Sequence, residues 1–359
     1  MRLPVKAITA LFACCALLGS AAAAAPQALA AEVNCSDTDL PVAGPIAPAT
    51  MHGRLCLPSG ATPAAVQLLV HGGTYNSAYW DLPYDPSHYS YQRDMAKNGF
   101  ATFAVDRLGT GRSTKPFSVP LLIGAEARSL HDVVGHLRAG RVDGLPFAKV
   151  VIVGHSVGSG IVAAEAATYH DVDGVVLSGI THLPSVPALA LGAALGLQPV
   201  FLDSDLARLG SDPLYFATRP GARAGLFYAQ GNADPRAIAA DEVTKDQVSV
   251  PGMGTVAVFG IVLPATLGID VPVFQAVGGN DILFCGLLAL RDCSSAERLR
   301  VQEASYFSPS ANLSTYVLPN AGHSLGLHQN ADQYRNATRV WLGQRIGVVP
   351  SVVTRSDHR

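Results

Sequence analysis

Blocks of apolar and polar positions alternate along this chain, and block length separates strands from helices. Short runs rich in β-branched or apolar residues recur: "VQLLVHGG" (66–73), "FATFAVD" (100–106), "AKVVIVG" (148–154), "VDGVVLSGI" (172–180), "VPVFQAVGG" (271–279) and "LSTYVLPNAG" (313–322). Their apolar positions are near-continuous, as expected of strands buried on both faces. Longer stretches with helical spacing lie between them: "YSYQRDMAKNG" with its stop at Gly99, then 124–140, 159–170 and 331–346. This alternation predicts an α/β fold, a mostly parallel, doubly wound sheet with helices on both faces.

One stretch breaks the rhythm. From Thr181 to Gly268 no clean strand–helix alternation is visible; "LPSVPALALGAALGLQPVF" and "DPRAIAADEVTKDQV" read as helices instead. We expect a helical cap insertion at 181–268 between two parts of one core, 31–180 and 269–350, followed by a tail at 351–359. Its expected place is over the carboxyl edge of the sheet, where α/β proteins bind ligands. A second helical domain without a chemical role is the other reading.

The first thirty residues need separate treatment. Arg2 and Lys6 precede an apolar run, Ala7 to Leu18, and "ALA" at Ala28 to Ala30 has the small-residue form of a cleavage site. The run is short for a membrane span, so 1–30 reads as a signal peptide and the mature chain as secreted, without a stable membrane anchor; anchoring, by a span or by a lipid on Cys14, is the rival reading. Export changes the cysteines. Of the six, Cys14 and Cys15 leave with the leader, and Cys35, Cys56, Cys285 and Cys293 remain. An even number in an oxidising compartment suggests two disulfides. The sequence-local pairing, Cys35–Cys56 with Cys285–Cys293, is favoured over two other pairings and over four free thiols. No Cys/His spacing resembles a zinc site, so no metal is expected. A net charge of −2 with no basic stretch gives no reason to expect nucleic acid as a partner.

Two pentapeptides match G-x-S-x-G: GHSVG at Gly154–Gly158 and GHSLG at Gly322–Gly326. Three fixed positions are weak evidence alone, and context separates the two. A nucleophile elbow needs a strand entering and a helix leaving, so that the serine hydroxyl is lifted above the sheet. "KVVIV" enters the first match and "GSGIVAAEAATY" leaves it. The second is followed by "LGLHQN", a poor helix start. In the second match the useful residue is the histidine. The order nucleophile, acid, base then reads Ser156, Asp281 in "GGND", and His323.

With "HGG" (71–73), "DRLGTGRS" (106–113), "GHSVG", "GGND" (278–281) and "AGHS" (321–324) in this order, the chain resembles the α/β-hydrolases with an inserted cap. The resemblance covers nearly all of the mature chain except the insertion. It implies the α/β-hydrolase fold, with Ser156 as nucleophile, His323 as base and Asp281 orienting the imidazole. It also implies an oxyanion hole from the Val157 N–H and a second donor at Gly73 or Thr74. His328 is the rival base, and Asp203 and Asp205 are rival acids. His71 and His155 read as scaffold. Tyr75, Tyr79 and Trp80 are either pocket lining or packing.

The expected activity is hydrolysis of small-molecule carboxylic esters or lactones, with no cofactor. An aminopeptidase of the same fold is the nearest rival, with Asp234, Asp241 and Glu242 as candidates to hold a substrate amine. A ligand-binding protein with little turnover is the rival of a different class. A haloalkane dehalogenase is disfavoured, because aspartate would be needed at Ser156.

Overall fold

A computed structural model describes residues 33–60 and 63–348. The expected leader and the tail after 350 lie outside the described residues.

Eleven strands occur in chain order: β1 (Val33–Ala43), β2 (Pro48–Pro58), β3 (Ala65–Val70), β4 (Ala101–Val105), β5 (Lys149–His155), β6 (Gly174–Ser178), β7 (Leu197–Pro199), β8 (Tyr215–Thr218), β9 (Val248–Ser249), β10 (Val273–Gly278) and β11 (Ser314–Leu318). Eight of them form one sheet in the order β1-β2-β4-β3-β5-β6-β10-β11. From β4 to β11 all neighbours are parallel. β1 and β2 form an antiparallel hairpin, and β2 pairs antiparallel with β4.

The central strands are where the apolar runs predicted them. Every residue of β3, β4, β6 and β10 is buried, which is why those segments show no period-2 alternation. Helices Ile123–Arg138 and Val157–Tyr169 also match the sequence reading. The β1–β2 hairpin does not appear in that reading. β1 is polar over most of its length and mostly half-buried or exposed, and its side chains pair across to β2, with Asp39 on His52 and Asp37 near Arg54. Such a strand is held by pairing rather than by burial, so it leaves no apolar run.

Between β6 and β10 lies the insertion. It carries helices Val186–Gly196, Ala222–Phe227, Pro235–Val243 and Val250–Thr255, followed by a π-helical turn at Val256–Val262. It also holds its own antiparallel sheet, β7-β8-β9. The sequence reading expected helices alone here. These strands are two to four residues long, too short to set up a periodicity.

The cysteines pair as Cys35–Cys56 and Cys285–Cys293. Cys35 and Cys56 face each other in the β1–β2 register, so the first bridge staples the outer hairpin. Among the described residues no helix is long and apolar enough to cross a membrane.

Candidate active site

Ser156 sits between the end of β5 and the start of helix Val157–Tyr169, with φ 53° and ψ −121°. That conformation is costly for a non-glycine residue and survives only where the surroundings enforce it. Its N–H donates to the Ser178 carbonyl at 2.8 Å, and its carbonyl accepts from Ser159 N–H at 2.8 Å. The flanking glycines are needed for close approach. A Cβ on Gly154 would come within 2.5 Å of Ser159 Cα, and one on Gly158 within 2.5 Å of the His71 and Val70 carbonyls. The pentapeptide is therefore required by backbone packing between strand, helix and the loop after β3.

Two other strand ends converge on this turn. Asp281 follows β10 and His323 follows β11. His323 Nε2 lies 2.8 Å from Ser156 Oγ, and its Nδ1 lies 2.9 Å from Asp281 Oδ2. The other Asp281 oxygen accepts from Leu283 N–H at 2.9 Å, which orients the carboxylate. Asp281 and His323 are both buried, while Ser156 is partly open. This chain of contacts can pass the serine proton to a histidine whose orientation the carboxylate fixes.

Gly73, Thr74 and Val157 all line the space above Ser156. Val157 is the first helical residue, so its N–H has no partner within the helix. The Gly72 carbonyl accepts from His71 Nδ1–H at 2.9 Å and Arg107 Nη2 at 3.2 Å. The peptide is trans, so the Gly73 N–H points the opposite way from those two donors. Thr74 adopts a left-handed φ of 60°.

The cavity over Ser156 measures about 460 Å³. Apart from Thr74, Ser156 and His323, its walls are apolar or glycine; Leu189, Leu226, Phe227, Met253, Val256 and Phe284 set its character. Most of these come from the segment between β6 and β10.

The rival residues are engaged elsewhere. His328 is fully buried, and its Nε2 accepts the N–H groups of Ala229 and Gly322 at 3.0 and 2.9 Å. Burial lowers its pKa to about 4, so it stays neutral and holds the loop that carries His323. Ser324 is buried against the Tyr75 hydroxyl. Asp203 pairs with Lys245 at 2.8 Å and hydrogen-bonds to Asp205 N–H in its own turn. Tyr75, Tyr79 and Trp80 are core residues, at 1–3% exposure, and none lines the cavity. His71 and His155 are buried scaffold, and burial holds both well below the usual imidazole range.

The acids considered for holding an amine are also absent from the cavity lining. Asp241 is buried in a two-pronged ion pair with Arg223, both contacts 2.9 Å. Glu242 pairs with Lys245, and Asp234 caps its own helix and pairs with Arg236. The sequence reading gave Arg223 no role. Its guanidinium lies 4.0 Å over the Tyr75 ring and donates to the Thr74 carbonyl at 3.0 Å. A lone arginine in "RAGLFY" carries no local signal of this reach.

A parallel-core α/β sheet with a serine, a histidine and an aspartate at three strand ends defines a hydrolase-type scaffold. A family model described as the alpha/beta hydrolase family matches residues 67–337, and the chain belongs to that family. Among solved structures it is similar to a thermophilic esterase from Thermogutta terrifontis, at 20% identity and TM-score 0.55, covering 85% of this chain and 98% of that one. It is also similar to E-2-(acetamidomethylene)succinate hydrolase, at 20% identity and TM-score 0.56, covering 86% and 99%. A monoacylglycerol lipase from Paleococcus ferrophilus matches at 17% identity and TM-score 0.52, covering 89% and 100%. At these identities the likeness concerns the fold. A comparison with curated proteins finds no match.

Proposed function

We propose that this chain is an exported serine hydrolase that cleaves carboxylic esters, lactones included, through an acyl-enzyme. The observation that carries the reading is the unbroken relay Ser156 Oγ–His323 Nε2 and His323 Nδ1–Asp281 Oδ2, at 2.8 and 2.9 Å. Ser156 Oγ attacks the ester carbonyl carbon as His323 takes its proton. The oxyanion accepts from Val157 N–H and from Gly73 or Thr74 N–H. The tetrahedral adduct collapses, the C–O bond to the alcohol breaks, and His323 returns the proton to the leaving oxygen. Water, deprotonated by His323, then attacks the acyl-enzyme and releases the acid and Ser156.

The apolar cavity favours an uncharged, hydrocarbon-rich acyl or alcohol group. The amidase reading is weaker, because Asp234, Asp241 and Glu242 are spent on arginine and lysine partners outside the cavity. A non-catalytic binding role is opposed by the intact relay. Export is supported by the form of residues 1–30 and by the two disulfides.

A panel of p-nitrophenyl esters, lactones and aminoacyl anilides, each run with and without a serine-directed fluorophosphonate, tests the reading. Ester or lactone turnover abolished by the probe is expected. Anilide turnover alone would favour the amidase, and no turnover with no labelling would end the proposal.

A further inference from the structure

Outside the candidate active site, and among the described residues, one cluster of histidine and carboxylate side chains has unmet bonding capacity. His131 stands on helix Ile123–Arg138, Glu165 on helix Val157–Tyr169, and Asp171 just beyond that helix, after the left-handed turn at His170. One donor atom from each lies within 4.8 Å of the others. Glu165 is the telling member. It is 0% exposed, and both its carboxylate oxygens lack a hydrogen-bond partner among the described residues. One oxygen of Asp171 is unpartnered too. Buried carboxylates without a partner are rare, because losing water costs several kcal/mol unless a donor or cation replaces it.

The surroundings hold the three residues in place. The His131 ring stacks on Tyr169 at 4.1 Å, and its Nδ1 lies 2.7 Å from Asp171 Oδ2. Arg138 donates to the Asp171 carbonyl from Nε and Nη2, which anchors the turn, and to Asp173. It makes no hydrogen bond to Glu165, so the neighbouring cation does not neutralise that group directly. Both ends of the cluster open to solvent, since His131 and Asp171 are partly exposed. An ion therefore has an approach from solvent through these two side chains.

We propose that His131, Glu165 and Asp171 form a binding site for one first-row divalent cation of the zinc type. One imidazole nitrogen with two carboxylate oxygens and an open position suits such an ion; calcium and magnesium prefer oxygen alone. Glu165 lies two turns and more along the helix that begins at Val157, which puts it roughly 13 Å from Ser156 along the helix axis. The ion ties the far end of that helix to helix Ile123–Arg138, and its role is stabilising. The competing occupant is a proton. Burial, with Asp171 alongside, pushes the Glu165 carboxyl up to about 9, and a neutral acid shared with Asp171 would also satisfy the pocket.

Chelator-treated full-length protein titrated with ZnCl2, followed by calorimetry and thermal melting, separates the two. Binding of one equivalent is expected, with a melting rise of roughly 5 °C at a hundredfold excess over Kd. Glu165→Gln and His131→Ala should each lose that equivalent while keeping ester turnover, and His323→Ala should keep it. Wild-type protein that takes up no zinc, or Glu165→Gln binding as well as wild type, overturns the site. A Glu165→Gln variant that melts as high as wild type without zinc, together with no zinc uptake, assigns the pocket to the shared proton.

Discussion

Arg223 donates to the Thr74 carbonyl at 3.0 Å while its Nε and Nη2 grip the two oxygens of Asp241, each at 2.9 Å. Both partners of this ion pair are almost fully buried, and Tyr228 donates to the same carboxylate at 2.7 Å. The pair therefore links the insertion to the loop after β3, next to Gly73.

Arg223 should act as a positioning residue with a separate structural cost. Arg223→Met leaves Asp241 buried and unpaired, a loss of about 3–5 kcal/mol, and lets the Thr74 loop relax. A donor displaced by about 1 Å lowers kcat on the order of a hundredfold, with a smaller change in KM. Arg223→Met combined with Asp241→Leu should recover melting temperature but not kcat. Recovery of both would make the arginine purely structural.

Labelling distinguishes the two serine motifs. Fluorophosphonate should attach to Ser156, and both Ser156→Ala and His323→Ala should lose turnover on the order of a millionfold, because such groups act as a unit. Asp281→Asn should be severe but milder. Ser324→Ala should keep labelling and lose about 1–3 kcal/mol of stability, through the Tyr75 hydroxyl left without its partner. A mass-spectrometric label on Ser324 would reverse the assignment.

The two disulfides should fail differently. Cys35–Cys56 closes a separation of 21 residues in the outer hairpin, and losing it should cost roughly 3 kcal/mol with turnover retained below the melting point. Cys285–Cys293 closes a separation of 8, in the loop whose first turn runs from the Asp281 carbonyl to Cys285 N–H at 2.8 Å. The same loop is also held by Arg291 on buried Glu303 at 2.6 Å. Paired Cys→Ser variants should show a drop in turnover only for the second bridge, and a modest one. Equal turnover in both would leave Arg291 and Glu303 as sufficient support for the acid.

Acid should unfold the protein through its buried histidines. The folded pKa of His328 is lowered by burial from 6.5 to about 4, so between those values the unfolded chain binds more protons. Stability is then complete above pH 6.5 and falls towards pH 4, by up to about 3 kcal/mol from this group. His71 and His155 shift in the same direction and add to the loss. Melting curves from pH 7.5 to 4 measure it. His328→Ala should lower the melting temperature throughout while flattening this slope; an unchanged slope would remove His328 as a cause. Turnover should also fall on acidification, because only an unprotonated imidazole can take the serine proton.

The central sheet is legible in the residues alone, because strands buried on both faces must be apolar throughout and so announce themselves. The elbow is legible as well. Gly154 is needed by local packing against Ser159, and a local constraint is readable in local residues; Gly158 is needed by the His71 and Val70 carbonyls, and only the motif as a whole makes it legible. The order of Ser156, Asp281 and His323 along the chain was legible for the same reason, since each follows a strand. Whatever depends on distant partners emerges only in the folded chain. The β1–β2 hairpin is held by cross-strand pairs such as Asp39 with His52, which leave no apolar pattern. Asp241 reads as a free acid until Arg223 is seen beside it. His328 and His323 are five residues apart in one loop, and their different roles follow from which backbone or side-chain groups each ring reaches in the folded chain. Burial and pairing of polar groups are set by elements far apart in sequence, so no single stretch can record them.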